Sequence, residues 1–168
     1  MDVMDFGCGT GLLSLQLLPY VKSVTAIDSS SGMLDVLDLK IKGQSLSYIK
    51  TLLIDIEKDI LTGTFDLVTS NMTMHHIKNI PPLFVQFYNI IKPGGFLCIT
   101  DLDPEGGLFH ESNEGVFHQG FQRDEMKQMF TNAGFIDICD VTVTKISKPD
   151  KNGSVNSFSI FMITGRRE

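Results

Sequence analysis

Three glycines within five residues, Gly7, Gly9 and Gly11, follow a short apolar run from Val3 to Phe6 that also carries Asp5. Glycines at a strand-to-helix turn let backbone pass close to a ligand and adopt conformations barred to other residues. A helix beginning there would aim unpaired N–H groups at the bound molecule. The same residues could also form a tight turn with no ligand. Their spacing is informative. The dinucleotide fingerprint is G-x-G-x-x-G, whose third glycine allows close helix–strand packing. Here the run is G-x-G-x-G, followed by Leu12 and Leu13. Asp28 closes the next apolar run, about 20 residues on, where an acidic side chain can accept both hydroxyls of a ribose. A carboxylate there is equally favoured by the dipole of a following helix.

The remaining candidates are His75, His76, Asp101, His110 and His118. Adjacent histidines point in different directions, so only one of His75 and His76 is expected to face a site; helix capping or a core role is the alternative. No second His/Cys pair at ligand spacing accompanies them, so no metal is expected. Three cysteines, Cys8, Cys98 and Cys139, are odd in number and widely spaced, against a disulfide framework. Cys98 and Cys139 lie in apolar runs and read as small core residues.

Positioning these groups requires alternating strands and helices. Strands are expected at Val3 to Phe6, Ser23 to Ile27, Ser47 to Leu53, Phe65 to Ser70 and Phe96 to Thr100. A first helix from Leu12 is limited by Pro19. A second, capped within Ser29-Ser30-Ser31, carries Met33, Val36, Leu37 and Ile41 on one face. A third starts at Pro81-Pro82 and ends at Pro93-Gly94-Gly95. Asp101 to Phe121 has no sustained period and reads as a long loop with at most a helical turn, and loops of that length tend to be functional. Arg123 to Ala133 reads as a helix closed by Gly134. Ile136 to Ile146 and Ser157 to Thr164 read as a closing hairpin around the turn-rich 148–153. The expected fold class is α/β, a Rossmann-like, doubly wound, mostly parallel seven-stranded sheet with an antiparallel C-terminal hairpin and helices on both faces.

The run from Val3 to Gly11 resembles motif I of the class I S-adenosylmethionine-dependent methyltransferases, and the chain is similar to their small-molecule, UbiE-like branch (methyltransferase type 11). The resemblance implies that Asp5 lies near the amino group of the donor's methionine moiety and that Gly7, Cys8, Gly9 and Gly11 lie against the cofactor. It places Asp28 and Ser29 at the ribose, Asp55 and Ile56 beside the adenine, and Asn71 and Met72 next to the methionine or sulfonium end. A surface-loop aspartate is the other reading of Asp55. His75-His76 resembles the His-His pair common after strand four in that branch, and Lys92-Pro93-Gly94-Gly95-Phe96 its usual approach to strand five. The Asn/Asp-Pro-Pro-Tyr signature of adenine and glutamine N-methyltransferases is replaced by Asn71-Met72-Thr73-Met74. The family normally carries a helical segment before motif I. The expectation here is therefore a single domain over 1–168 that lacks the usual N-terminal lid helices.

Methyl transfer from a sulfonium is a direct in-line displacement in which the protein mainly aligns the reactants and excludes water. A general base helps only a protonated acceptor; the candidates are His76, Asp101, His118 and His110. Asp101 and the loop after it, including Phe117-His118-Gln119-Gly120-Phe121, are expected to bind the acceptor, unless the loop's aromatics serve its own packing. The expected product is S-adenosylhomocysteine. Net charge is −6 and no Lys/Arg cluster appears, so a small molecule is favoured over nucleic acid. Arg166-Arg167 reads as a solvated tail. Without a signal peptide or a membrane-length apolar run, the chain is expected to be cytoplasmic and away from membranes. Two other functions fit less well: a non-catalytic cofactor-binding or interaction domain, and an NAD(P)-dependent oxidoreductase.

Overall fold

A computed structural model of the chain describes residues 1–149 and 154–168. Seven strands form one sheet: β1 (Asp2–Phe6), β2 (Ser23–Asp28), β3 (Ile49–Leu53), β4 (Phe65–Asn71), β5 (Ile91–Leu102), β6 (Phe135–Pro149) and β7 (Val155–Arg167). The order is β3-β2-β1-β4-β5-β7-β6. The first five strands pair in parallel, and β7 runs antiparallel to both β5 and β6. Four α-helices connect them: α1 (Leu12–Leu17), α2 (Ser31–Gly43), α3 (Ile80–Ile90) and α4 (Arg123–Ala133). The expected doubly wound sheet is therefore present.

Strand alternation sorts the core into two layers. Met4, Phe6, Ile27, Val68, Leu97, Ile99, Phe161 and Ile163 share the larger cluster with buried residues of α3 and α4. Val24, Ala26 and Ile49 share the smaller one with Leu34 and Leu37 of α2. Met33 and Val36, expected on the buried face of α2, are exposed instead. The helix turns Leu34, Leu37 and the partly buried Ile41 inward, an i, i+3, i+7 stripe that Met33 and Val36 do not share. Its start is as expected: Ser30 Oγ accepts from Met33 N–H at 3.3 Å.

Several boundaries differ. α3 stops at Ile90, and Pro93-Gly94-Gly95 lies inside β5, not at the helix end. Phe65 pairs with Ile91 but Leu67 with Phe96, so 92–95 loop out of register as a long bulge. Proline lacks the ladder donor, and a Cβ at Gly95 would sit 2.7 Å from Asp66 O. The hairpin strands are longer than their sequence pattern suggested because β6 and β7 pair with each other well past β5. The connection expected at 148–153 falls, at 150–153, outside the described residues. Arg166 and Arg167 belong to β7: Arg166 pairs with Asp137, and Arg167 donates to the carbonyls of Asn89 and Ile91. Cys8 is the buried cysteine, Cys98 is half-buried and Cys139 is exposed, so Cys139 is not a core residue.

Residues 103–122 hold no helix. This loop is anchored where it starts, since Arg123 at the head of α4 grips Asp103 through Nε at 2.7 Å and Nη2 at 2.5 Å. Phe109 packs with Leu102, Phe158 and Ile160 in a third small cluster, while Phe117 is exposed.

Candidate active site

The parallel strands end along one edge, and the loops leaving them enclose a cavity of ≈ 770 Å³. Open α/β sheets bind ligands at this edge. The first wall is the glycine loop, where Gly7 N–H and Cys8 N–H donate to Ile27 O at 2.8 and 2.9 Å. Gly7 has φ +71°, and a Cβ there would meet the Thr73 side chain at 2.2 Å, so the position requires glycine. Gly9 also has positive φ, yet a Cβ there would meet nothing within 4 Å. Gly9 therefore leaves its space open on the cavity side. Gly11 and Cys8 do not line the cavity. Gly11 packs against Leu37, and burial pushes the Cys8 thiol up to about 12.

Asp28 is the keystone of the second wall. Its Oδ2 accepts from Gly9 N–H at 2.7 Å and its Oδ1 from Ser30 N–H at 2.9 Å, which ties the two loops together. Each oxygen keeps a lone pair for a ligand hydroxyl, and Asp28 and Ser29 both line the cavity. Residues 54–57 form the third wall, with Asp55 and Ile56 in it. Asp55 accepts from Glu57 N–H at 3.1 Å and from Lys58, whose ammonium holds the carboxyl below the usual range.

Asp5 lies elsewhere. It is 1% exposed, sits beneath the glycine loop and does not line the cavity. Ser14 Oγ donates to it at 2.5 Å. Burial raises its carboxyl to about 6, against the opposing Ser14 hydrogen bonds. Asn71 at the end of β4 is exposed and also outside the cavity lining. Met72 beside it lines the cavity with a φ of 56°, a left-handed conformation that is strained for a side-chain residue. That reversal brings Thr73 back over the glycine loop, where its hydroxyl donates to Gly7 O at 3.2 Å.

The histidine pair divides as adjacent residues must. His76 lines the cavity and is exposed, with Nδ1 2.8 Å from Gly115 O. His75 is 1% exposed, and its Nδ1 lies 2.7 Å from Asp101 Oδ1. Asp101 is wholly buried and also accepts from Leu102 N–H at 2.8 Å. So enclosed, Asp101 does not line the cavity and instead holds His75 Nδ1. His118 is not in the cavity lining either: its Nε2 donates to Ile77 O at 2.9 Å and its ring packs on Phe121. Among the expected bases, only His76 reaches the cavity. His110, from the long loop, comes to 5.0 Å from the His75 ring and 5.6 Å from the His76 ring. Burial, followed by the neighbouring His75 and His76, lowers its proton affinity.

Sequence reasoning missed a fourth wall. Lys78, Asn79, Pro82, Leu83 and Gln86 line the cavity from the start of α3. Pro81-Pro82 marked a helix start but carried no sign that its exposed side would face a ligand.

Residues 4–99 match a family described as "Methyltransferase domain". An uncharacterised methyltransferase of Schizosaccharomyces pombe is 32% identical over 149 residues, 79% of this chain and 52% of that protein. Phosphoethanolamine N-methyltransferase 1 of Triticum aestivum is 30% identical over 141 residues, 81% of this chain and 28% of its own length. The chain thus spans about half of the first relative and less of the second. Among solved structures, phosphoethanolamine N-methyltransferase 2 of Haemonchus contortus in complex with S-adenosyl-L-methionine has a TM-score of 0.79 at 19% identity, covering 99% of this chain and 48% of that one. The YcgJ protein of Bacillus subtilis has a TM-score of 0.78 at 16% identity, covering 99% and 92%. These structures share the fold described above.

Proposed function

The chain belongs to the methyltransferase-domain family, and on that premise we propose that it binds S-adenosylmethionine at the edge of its parallel strands and directs methyl transfer to a small-molecule acceptor. The observation that carries the reading is the cavity joining Gly9 and Asp28 at one end to Met72 and His76 at the other. When bound, the cofactor supplies an electrophilic methyl group on sulfur. Asp28 accepts from ribose hydroxyls with its remaining lone pairs while Ser29 lies alongside. Ile56 and Asp55 flank the base, and the open face of Gly9 gives the cofactor chain room to lie on backbone. Gly7 lines the cavity beside Gly9, while Cys8 and Gly11 act behind that surface by fixing the loop's course. Buried Asp5 acts through Ser14 and its field, and Met72 and Thr73 bound the space next to the sulfur. His76 stands at the acceptor space with Nε2 as its free nitrogen, because its Nδ1–H is committed to Gly115 O.

Direct displacement needs alignment and exclusion of water more than proton transfer. The long loop lines none of the cavity and braces the 72–77 segment from behind, since its backbone at Phe117 and His118 donates to His75 O at 2.9 and 3.2 Å. Membership of this family also removes the NAD(P)-dependent oxidoreductase considered from the sequence. Among the described residues no helix is long and apolar enough to cross a membrane.

Calorimetric titration of the full chain tests the first half of the proposal. S-adenosylmethionine and S-adenosylhomocysteine should each bind with a Kd near or below about 100 μM, a free energy of roughly −5.5 kcal/mol, while NAD shows no heat. No binding of either at millimolar concentration would remove the proposal. Binding without turnover across amine, hydroxyl and thiol acceptors would keep the cofactor half and remove the transfer half.

A further inference from the structure

Three of the four histidines in the sequence converge: His75, His76 and His110 each bring one ligand nitrogen within 4.8 Å of the others. The hydrogen bonds around them decide which nitrogens are free. Asp101 is a carboxylate acceptor for Leu102 N–H and for His75 Nδ1, so the His75 proton sits on Nδ1 and the lone pair on Nε2. That Nε2 is buried and has no partner. Gly115 O can only accept, so His76 likewise keeps its proton on Nδ1 and its lone pair on Nε2. His110 Nε2 is also buried without a partner. Two orphaned imidazole nitrogens in one place call for a ligand, because an unmet buried polar atom is costly.

The chemistry of that ligand follows from the tautomers. An anion would need N–H donors, and the Nδ1–H groups of His75 and His76 are already spent. A water molecule can donate to two lone pairs, not three. A cation accepts all three at once. Imidazole nitrogens with no carboxylate among them suit zinc and its first-row neighbours, not magnesium or calcium. The Asp101–His75 and Gly115–His76 bonds are the outer supports that metal-bound histidines use to fix tautomer and ring orientation.

We propose that His75, His76 and His110 bind one divalent first-row transition metal ion, zinc foremost, with its fourth position open to the cavity. At a Zn–N distance of about 2.0–2.1 Å the three nitrogens sit closer together than in the metal-free arrangement, so binding draws the His110 segment inward. His76 lines the cavity, which puts the open position beside the acceptor space. There the ion would take an acceptor oxygen, sulfur or nitrogen as its fourth ligand and lower its proton affinity, so that the proton passes to solvent water before the methyl group leaves the donor sulfur. This last role rests on the transfer reading above, whereas ion binding does not. His76 then serves as a ligand, and no separate base is required.

The test uses the full chain stripped with a chelator and titrated with Zn²⁺ alone, and with Co²⁺ as an optical probe. One ion per chain should bind with a Kd at or below about 10 μM, roughly −7 kcal/mol. Co²⁺ should give the intense visible bands of a four-coordinate site. His110→Ala and His76→Ala should each weaken binding by about 100-fold or more, while Cys139→Ser leaves it unchanged. Both ligand variants are cut back on loop or exposed positions, so circular dichroism should report a folded chain. If His75→Ala fails to fold, those two decide. Absence of Zn²⁺ binding below about 1 mM would overturn the proposal. So would binding that survives both substitutions, which would move the ion to another site such as Cys139. Cofactor affinity, measured separately without metal, reports the methyl-donor reading on its own.

Discussion

The two ends of the cavity are built by different means. At the donor end, 7–9, 28–30 and 54–57 each follow a neighbouring parallel strand, and the sheet order alone brings them together. At the acceptor end, 72–77 meet 110–118 through contacts that span more than thirty residues, such as His118 Nε2 to Ile77 O and His76 Nδ1 to Gly115 O. The donor end is thus brought together by topology, and Gly7 and Asp28 then fix the course of its loops. The other end depends on a loop that lines none of the cavity but holds 72–77 from behind. Such a division suits a fold that keeps one donor and varies the acceptor.

Asp28→Ala gives the largest expected effect and the sharpest test of this division. It strips Gly9 N–H and Ser30 N–H of their acceptor and removes the groups assigned to the ribose. Two or more charge-assisted hydrogen bonds at about 1.5 kcal/mol each correspond to a loss of about 100-fold or more in S-adenosylmethionine affinity by calorimetry. Zn²⁺ affinity should stay within about 2-fold, since Asp28 shares no hydrogen-bond partner with His75 or His76. A joint collapse of both affinities would mean that the two ends are one cooperative unit.

Legibility follows the same division. The strands, their order of appearance and the residues of the first three cavity walls lay in local patterns: a glycine spacing, an aspartate closing β2, an aspartate after β3. Strand ends were less legible, because β6 and β7 lengthen by pairing with each other and β5 absorbs 91–95 through a bulge. α2 was placed correctly, but its buried face was misread by one residue, from Met33 to Leu34. At the other end only Met72 and His76 were legible. Nothing in the types of Asp101 or His118 says that one is sealed behind His75 and the other is stitched to Ile77. The convergence of His110 on His75 and His76 likewise comes from the path of a loop with no period of its own, so a search for ligands at short spacing passed over it.

Asp5→Asn probes the donor end at an intermediate magnitude. The folded carboxyl titrates near 6 against 3.8 for its ordinary value, with burial the first cause. A raised carboxyl favours the protonated folded state, so its contribution to stability is whole below pH 3.8 and is lost as pH rises through about 6. At neutral pH the buried charge therefore costs up to about 3 kcal/mol, as expected of a residue kept for its field rather than for packing. Asn can still accept from Ser14 Oγ. Urea unfolding should show the variant equal to the parent at pH 4 and more stable at pH 7.5, with weaker cofactor binding. A variant that is less stable at both pH values would make Asp5 a structural cap and not a charge held for the ligand.

The smallest effect, and the most local, belongs to His118→Ala at the acceptor end. The substitution removes one hydrogen bond, Nε2–H to Ile77 O, and the ring contact with Phe121, leaving the Phe117 and His118 backbone bonds to His75 O intact. A single neutral hydrogen bond contributes about 1 kcal/mol, so opening of this loop should become about 5-fold more frequent while global stability shifts little. Hydrogen exchange should report faster amides across 109–118 and unchanged protection in β1, β2 and β4. Cofactor affinity should not move, because no donor-end group touches His118. Acceptor turnover should fall by a similar small factor, as the closed loop is populated less often. Faster exchange that spread into the glycine loop would show instead that the long loop braces the donor end, and topology alone would no longer account for it.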